Sequence, residues 1–465
     1  MIKKVVVLAA VLVALTLGSA FAYQIDSLGS GALGQAQPPT NVFVNPGGLG
    51  DVLLYGYYNV RGQQTFFTVT NTDSVNGVRV RIRFREAETI GAPVCNGSQE
   101  VLDFDICLSK SDMWTGNILT DSASGAAKLV SRDADTFVQT SGLAPQVPGG
   151  AFSGTIDIFK NIRPNGQLFK FGADNLVSAI TADQTREGYY EVIAERQLRD
   201  CTAAEIDRGD CSCGDQMDLV GTDAPNALMG HSFQVNVAST ETYGYVATAL
   251  GDFSGLDITS AGGITSSQPN LSADSETNTI DPVNYALTKR NINAIYDLES
   301  FVAGEASLVV TFPTKWATHI PPVVVDGECV ETTSTPNLDI FDDPTVGITI
   351  FDDAENPETP ELCEFSPCPP GSSTQLPDEV NVLNFNSRSI FDSTVDQILS
   401  TSFVMGWASI DLGPATALPV HQTSFGGFTT VGLPAIAYQA QSFAGGKFSA
   451  MLPMTYNSDI TQAIP

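Results

Sequence analysis

One ten-residue stretch, Gly77–Glu86, constrains the fold of this chain more than any other part of it. Its apolar and basic side chains alternate without a break, Val78, Val80, Ile82 and Phe84 against Arg79, Arg81, Arg83 and Arg85. A period of two places the two sets on opposite faces of a β-strand, whereas a helix would mix them. The chain carries 52 acidic and 22 basic residues, so we expect carboxylates opposite this arginine row.

The matching partner lies at residues 101–109. Leu102, Phe104, Ile106 and Leu108 alternate there with Asp103 and Asp105. Laid antiparallel, the two strands share an apolar face and oppose arginines to aspartates, and each such pair contributes about 0.2–1 kcal/mol. We interpret them as the central hairpin of a β-sandwich.

Two interpretations of the arginine row stay open. It could bind an anionic polymer, such as the phosphates of a surface glycolipid. Alternatively Asp103, Asp105 and Glu86 neutralise it on an exposed sheet face, where ion pairs contribute little. The register of the hairpin favours neutralisation.

The first 22 residues have the pattern of a secretory signal peptide. Lys3 and Lys4 precede an apolar run at 5–17, and Ala20 and Ala22 supply the small residues of a cleavage site. We predict cleavage after Ala22, a secreted or cell-surface location, and no transmembrane segment in the mature chain, since no later apolar stretch is long enough.

Composition favours an all-β fold. The chain has 41 glycines, 26 prolines and 25 phenylalanines, with frequent Val, Ile and Thr runs. We predict two immunoglobulin-like antiparallel β-sandwich regions with long loops and a few short helices, one of them at 281–291, where Asp281 would cap the helix and Pro282 would begin it. The predicted domains are a flexible arm at 23–50, a first sandwich with a loop-rich, partly helical insertion at 51–300, and a second sandwich with an acidic loop at 301–465.

The 8 cysteines of an exported chain predict disulfides, although 105 pairings are possible. A bond between Cys95 and Cys107 would close a short loop, and it is the one pairing that we predict. An oxidising compartment also favours disulfides over a metal thiolate site at Cys201, Cys211 and Cys213. The remaining cysteines are Cys201, Cys211, Cys213, Cys329, Cys363 and Cys368.

A doubled Ile-Phe-Asp-Asp segment at 340–343 and 350–353 is a candidate calcium site, because Ca²⁺ takes six to eight oxygen ligands. Ordinary acidic turns are the competing interpretation, since the spacing is not that of an EF-hand. No cofactor is required by the sequence, and Ca²⁺ is the one ion that it suggests. The candidate ligands are Asp339, Asp342, Asp343, Asp352 and Asp353.

The charge balance excludes nucleic acid as a partner, since phosphate binding needs clustered positive charge. Catalysis has little support. The 3 histidines, His231, His319 and His421, are too far apart in the sequence for a metal-ligand motif. The segment around His231 also lacks the closing glycine of a nucleophile elbow.

Several strand segments resemble those of a largely uncharacterised family of exported bacterial proteins with surface-layer-like β-sandwiches. They are FTVTNT (67–72), RIRFRE (81–86), VLDFDICLS (101–109) with Trp114, VVTFPTK (309–315), EVNVLNF (379–385) and GLP (432–434). The resemblance covers about half of the mature chain and carries no active-site signature. It implies a cell-surface location and a sandwich architecture rather than an activity.

We therefore expect a non-catalytic structural subunit of a bacterial cell-surface or extracellular assembly, stabilised by disulfides and by Ca²⁺, whose partners are other copies or other surface components. The alternative is an adhesin or carbohydrate-binding surface protein that uses loops at one end of a sandwich. A secreted hydrolase is the third hypothesis, since paired carboxylates are numerous.

Overall fold

A computed structural model describes most of the chain between residues 42 and 462. The described residues are 42–88, 98, 100–131, 137–139, 167–170, 181–198, 226–251, 280–315, 323–325, 328–330, 346–358, 362–363, 376–386, 390–413, 422–425, 428–443, 448–453, 455–457 and 459–462. The chain is all-β and forms several antiparallel sheets. The all-β prediction is confirmed, while the immunoglobulin-like topology stays a prediction.

The first half of the chain forms two large sheets. Sheet I has the order β12-β11-β3-β6-β7-β9, and sheet II has the order β1-β13-β2-β10-β4-β5-β8. A 3₁₀ turn, Gln184–Arg186, leads into β10. The strands are β1 (Phe43–Asn45), β2 (Val52–Asn59), β3 (Gln64–Asn71), β4 (Gly77–Glu86), β5 (Glu100–Leu108), β6 (Met113–Thr120), β7 (Ala127–Ser131), β8 (Phe137–Gln139), β9 (Gln167–Lys170), β10 (Glu187–Leu198), β11 (Leu228–Asn236), β12 (Glu241–Val246) and β13 (Thr248–Gly251).

The second half adds a short helix and two more large sheets. Sheet III has the order β21-β23-β22-β16-β28-β29, sheet IV has the order β20-β19-β24-β15-β30, and the other strands form small sheets of two or three. The elements are α1 (Ile280–Leu287), β14 (Thr288–Lys289), β15 (Asn291–Asp297), β16 (Glu305–Thr311), β17 (Val323–Val325), β18 (Glu328–Val330), β19 (Gly347–Asp352), β20 (Pro357–Glu358), β21 (Leu362–Cys363), β22 (Val380–Phe385), β23 (Asp396–Leu399), β24 (Met405–Asp411), β25 (Gln422–Phe425), β26 (Phe428–Val431), β27 (Leu433–Pro434), β28 (Ile436–Phe443), β29 (Phe448–Pro453), β30 (Thr455–Asn457) and β31 (Asp459–Gln462).

Burial along the strands shows how the four large sheets are layered. The central strands of sheets II and III, such as β2, β4, β16 and β22, are buried at every position. Strands of sheets I and IV, such as β3 and β15, alternate between buried and more exposed positions. A strand buried on both faces needs a layer on each side, so the sheets lie in the order I, II, III, IV, and only the edge strand β12 of sheet I is seen to reach past sheet II to β28 of sheet III within the described residues.

The apolar cores follow this order. Between sheets I and II, Tyr190 stacks on Tyr55 and Phe84, with ring centroids 4.3 and 4.8 Å apart, and Phe67 joins them to Trp114. A second core lies between sheets III and IV and is built largely from aliphatic side chains such as Leu308 and Ile350. The first core also continues from sheet II to residues of sheet III.

The predicted arginine hairpin is confirmed in its register. In the β4–β5 pair Arg81 is opposite Asp105, Arg83 is opposite Asp103, and Ile82 is opposite Phe104 on the apolar face. The expected exposure of the arginine face is wrong, since Arg81 is completely buried and its three neighbours in the row are nearly so. Strand β4 is an inner strand, also paired with β10, and the second face of sheet II is covered.

The structure differs from three predicted boundaries. The helix expected at 281–291 is α1, which begins one residue earlier and ends at Leu287, because the next two residues pair with β27. Strand β15 precedes the predicted division near residue 300 but pairs with β24 and β30 of the later part. Residues 43–45 of the predicted arm form β1 and pair with β13.

Sheets II and III approach each other closely at Gly56 of β2. A Cβ at this position would lie 2.8 Å from Tyr438 and 2.9 Å from Ile436, both of β28. The Thr311 hydroxyl of β16 donates a hydrogen bond of 2.5 Å to the Gly56 carbonyl. Only glycine leaves room for this contact, which joins the two halves of the chain.

Candidate functional site

The arginines of the buried row interact with groups in the interior of the protein. Arg83 lies 3.2 Å from the carboxylate of Glu191 on β10, and Arg85 donates a hydrogen bond of 3.0 Å to the Ser98 carbonyl. The residues of the row are at most 6% exposed. Their guanidinium groups therefore offer almost no surface to an anionic polymer, and that interpretation of the row is wrong.

Glu187 of sheet II is a buried carboxylate that accepts hydrogen bonds from residues of two layers. Its Oε1 accepts hydrogen bonds from the Tyr57 hydroxyl at 2.7 Å and the Ser393 hydroxyl at 2.5 Å. Its Oε2 accepts from the Thr394 amide at 2.9 Å and hydroxyl at 3.1 Å, and Arg61 Nε lies 3.4 Å away. Ser393 and Thr394 precede a strand of sheet III, so this carboxylate joins sheets II and III.

Glu379, just before β22, makes a second such link. It accepts hydrogen bonds from the Tyr189 hydroxyl of sheet II and from the Ser98 amide, both at 2.7 Å, and from the Ser98 hydroxyl. Arg85 adds electrostatic attraction. Glu241 of β12 makes a third link, from sheet I to sheet III, because it accepts a hydrogen bond of 2.8 Å from Ser442 of β28.

We expect the protein to become less stable as the pH rises above about 4.3, the unfolded pKa of a glutamate. Burial raises the pKa of Glu187 and of Glu379 above the ordinary value, in spite of the hydrogen bonds that they accept. A carboxyl group whose pKa is higher in the folded state stabilises the protein fully below its unfolded pKa of about 4.3. This contribution is lost as the pH rises through the folded pKa.

Urea denaturation at several pH values measures this slope, with the double variant Glu187→Gln and Glu379→Gln as the control. The control should have a flatter slope over the same range, because neither amide titrates. General repulsion among the acidic residues acts in both proteins and therefore cancels in the comparison. A free energy of unfolding that rises with pH, or equal slopes in the two proteins, would contradict the assignment.

Lys289 of β14 is a buried base whose pKa lies far from its ordinary value. Desolvation lowers its pKa to about 7, a range in which lysines act as bases or nucleophiles. Its Nζ lies 3.5 Å from the carbonyl of Ala286 in α1, and the residue is enclosed between α1 and β27. This arrangement suits a buried structural amine better than a group that meets substrate.

Sheet IV exposes an apolar row that crosses four neighbouring strands. Trp407 of β24 is directly opposite Ile295 of β15 on one side and Phe351 of β19 on the other, and Phe351 is opposite Pro357 of β20. The Trp407 and Phe351 rings stack with centroids 4.3 Å apart, while Trp407 remains 37% and Ile295 51% exposed. We call these four residues the Trp407 row.

Hydrogen-bonding side chains lie beside the Trp407 row. Asn293, Ser409 and Thr349 occupy the next register position on β15, β24 and β19. Sequence analysis missed the row, because its residues come from separate parts of the chain. One signal was available in β19 and β24, where aromatic side chains occupy the same alternate positions as polar ones.

The outward face of sheet I carries a second apolar patch. Phe233 of β11 is directly opposite Phe66 of β3, and they are 41% and 39% exposed. His231 stacks on Phe233 with ring centroids 6.4 Å apart, and Val246 of β12 is opposite His231. We call this surface, Phe66 with Phe233, His231 and Val246, the Phe66 face.

The predicted calcium ligands are only partly described. The Asp352 carboxylate accepts hydrogen bonds from the Ala354 amide and from the amide and side chain of Asn356, and the Asn356 bonds hold its pKa below the usual value. Asp353 is exposed in the same turn, and Asp339, Asp342 and Asp343 lie outside the described residues. Within the described part of the chain no three His, Cys, Asp or Glu residues form a metal-binding group, so the calcium site stays a prediction.

The predicted disulfides also stay predictions. Cys107, Cys329 and Cys363 lie on β5, β18 and β21, but their side chains and the other five cysteines lie outside the described residues. Of the histidines, only His231 is described. In the described ranges, no helix combines the length and the hydrophobicity that crossing a membrane requires.

Comparison with family models, with curated proteins and with solved structures finds no match for this chain. The described geometry offers two exposed apolar patches on the outermost sheets and a set of buried carboxylates that join the layers between them.

Proposed function

We propose that this chain is a non-catalytic structural subunit of a bacterial cell-surface or extracellular assembly, and that it self-associates through the outward faces of its outer sheets. The Trp407 row carries the proposal. It is a contiguous apolar strip with an exposed tryptophan at its centre, and tryptophan is strongly enriched among residues that dominate protein interfaces. Stacking on Phe351 holds the ring in place, so little side-chain freedom would be lost on contact.

The layered body supports the same function. Three carboxylates, Glu187, Glu379 and Glu241, hold the first and second halves together by hydrogen bonds across the layers. A subunit that transmits a regular spacing to its neighbours has to be rigid, and these links favour one rigid unit over two independently moving domains. The predicted signal peptide supports a location outside the cell.

Sedimentation velocity and electron microscopy of residues 23–465, with calcium and with a chelator, test this function. We expect oligomers or ordered arrays that grow with concentration, and Trp407→Ala should reduce them strongly. Ser409→Ala, a neighbour on the same outward face, is the matched control and should assemble as the wild type does. Ordered assembly that is lost on chelation would also support the calcium site. A monodisperse monomer over a hundredfold range of concentration would contradict the proposal.

One observation favours a second candidate, a carbohydrate-binding surface. Aromatic rings present flat apolar faces, and the amide and hydroxyl groups of Asn293, Ser409 and Thr349 lie beside the Trp407 row to accept and donate hydrogen bonds. A glycan array that shows binding by the wild type but not by Trp407→Ala would support this candidate. Silence across surface polysaccharides would remove it.

A further inference from the structure

We propose that the subunits stack head to tail, with the Trp407 row of one copy packed on the Phe66 face of the next. This inference rests on the proposed self-association and adds which surfaces meet. The occupant of the Trp407 row is thus a second copy of this chain. Three observations carry the proposal: the positions of the two surfaces, their charge, and the way the chain already packs its own sheets.

The two surfaces lie on opposite sides of the layered body. Sheet I turns its inner face to sheet II, and sheet IV turns its inner face to sheet III, as the buried halves of β3 and β15 show. The Phe66 face and the Trp407 row are on the other, outward faces of these sheets. A contact between two different surfaces on opposite sides of a subunit adds copies in one direction and generates an open filament.

The charges of the two faces favour this pairing over a contact between two copies of the same face. Outward positions on sheet IV include Asp297 and Asp411, of which Asp411 is paired with Arg290 at 2.8 Å, and Asp353 and Glu355 are exposed in the turn after β19. Two Trp407 rows placed face to face would bring Asp297, Asp353 and Glu355 of the two copies together, and like charges across an interface are costly.

Sheet I differs in its charge. In the described strands of sheet I, the outward positions whose side chains are described include no Asp or Glu, although the chain carries 52 acidic residues. They include His231 and Lys128, and Lys128 is paired at 3.3 Å with Asp121 in the turn after β6. The Phe66 face therefore accepts an acidic partner without like-charge repulsion.

The proposed contact also repeats the architecture of the chain itself. Sheets I and II, II and III, and III and IV already pack face to face, and stacked sheets lie about 10 Å apart. The interface between sheets II and III mixes aromatic side chains with hydroxyl and amide groups, as in the Tyr57–Phe391 contact at 5.0 Å and the Asn59 hydrogen bond to the Phe391 carbonyl. The Trp407 row and the Phe66 face have the same mixture, so their contact would continue the stack from one molecule to the next.

Mixing variants with one altered face tests the proposal. Trp407→Asp disables the row and Phe233→Asp disables the Phe66 face, and both positions are outward, so the fold should be retained. Each variant alone should remain monomeric in sedimentation velocity. Their mixture should form dimers but no longer species, because one intact row of the Phe233→Asp protein meets one intact face of the Trp407→Asp protein.

The other outcomes separate this proposal from the proposed function. Dimers of Phe233→Asp alone would show row-to-row contacts, and dimers of Trp407→Asp alone would show contacts between two Phe66 faces, and either overturns head-to-tail stacking. Wild-type assembly that neither substitution weakens also overturns it, while self-association stands. A wild type that stays monomeric overturns both. Circular dichroism and melting temperatures establish that each variant is folded, and the milder Trp407→Ala and Phe66→Ala replace any variant that is not.

Discussion

Replacing Glu379 by alanine should lower the free energy of unfolding by about 3–5 kcal/mol, the usual cost of removing one partner from a buried charged network. The truncation leaves the Tyr189 hydroxyl, the Ser98 amide and the Ser98 hydroxyl buried without the acceptor that they share. It also removes the negative charge that attracts Arg85. Urea denaturation followed by tryptophan fluorescence measures the loss.

Two variants control this experiment. Tyr189→Phe removes one donor and should cost about 1 kcal/mol, and its cost should shrink in the Glu379→Ala background because the two side chains share one hydrogen bond. Asp353→Ala, at an exposed position, should change stability by no more than about 0.5 kcal/mol. Equal small effects of Glu379→Ala and Asp353→Ala would show that the buried link contributes nothing.

Replacing Trp114 by alanine should cost a similar amount, about 3–5 kcal/mol. Trp114 of β6 is completely buried between sheets I and II, with its ring 5.5 Å from that of Phe67 and 5.7 Å from that of Phe104. Alanine would leave a cavity that two sheets, each pinned by its strand pairing, cannot collapse to fill. Thermal and urea denaturation of the purified variant measure the loss.

Trp114→Phe is the matched control. It keeps an aromatic ring in the core, and it removes an indole N–H that has no hydrogen-bond partner among the described residues. Its cost should therefore be clearly smaller than that of alanine. If phenylalanine and alanine destabilise the protein equally, the ring contacts with Phe67 and Phe104 are not the source of the stability.

The hairpin of β4 and β5 could be predicted in detail from the sequence. Strict alternation in both segments determines which side chains share a face, and a one-residue slip would place arginines on the apolar side. The observed pairing of Ile82 with Phe104 and of Arg83 with Asp103 agrees with this. The burial of the arginine face could not be predicted, because alternation shows that two faces differ and not what covers the second one.

The candidate site could be predicted only in part. Phe351 belongs to the doubled Ile-Phe-Asp-Asp segment at 350–353, but nothing in the sequence indicates that β15, β19 and β24 are neighbours. Their side-by-side order brings Ile295, Trp407 and Phe351 into one row across more than a hundred residues of chain. The carboxylate of Glu187 likewise meets Thr394 only because sheet III lies against sheet II.

The sequence by itself determined the local structure of this protein. Two-residue periods specified the strands β4 and β5, since each residue's direction depends only on its neighbours along the strand. The tertiary structure alone decided the order of the four sheets, and with it which polar faces are buried and which apolar rows are exposed. Those properties depend on contacts between residues far apart in the chain, which no local pattern encodes.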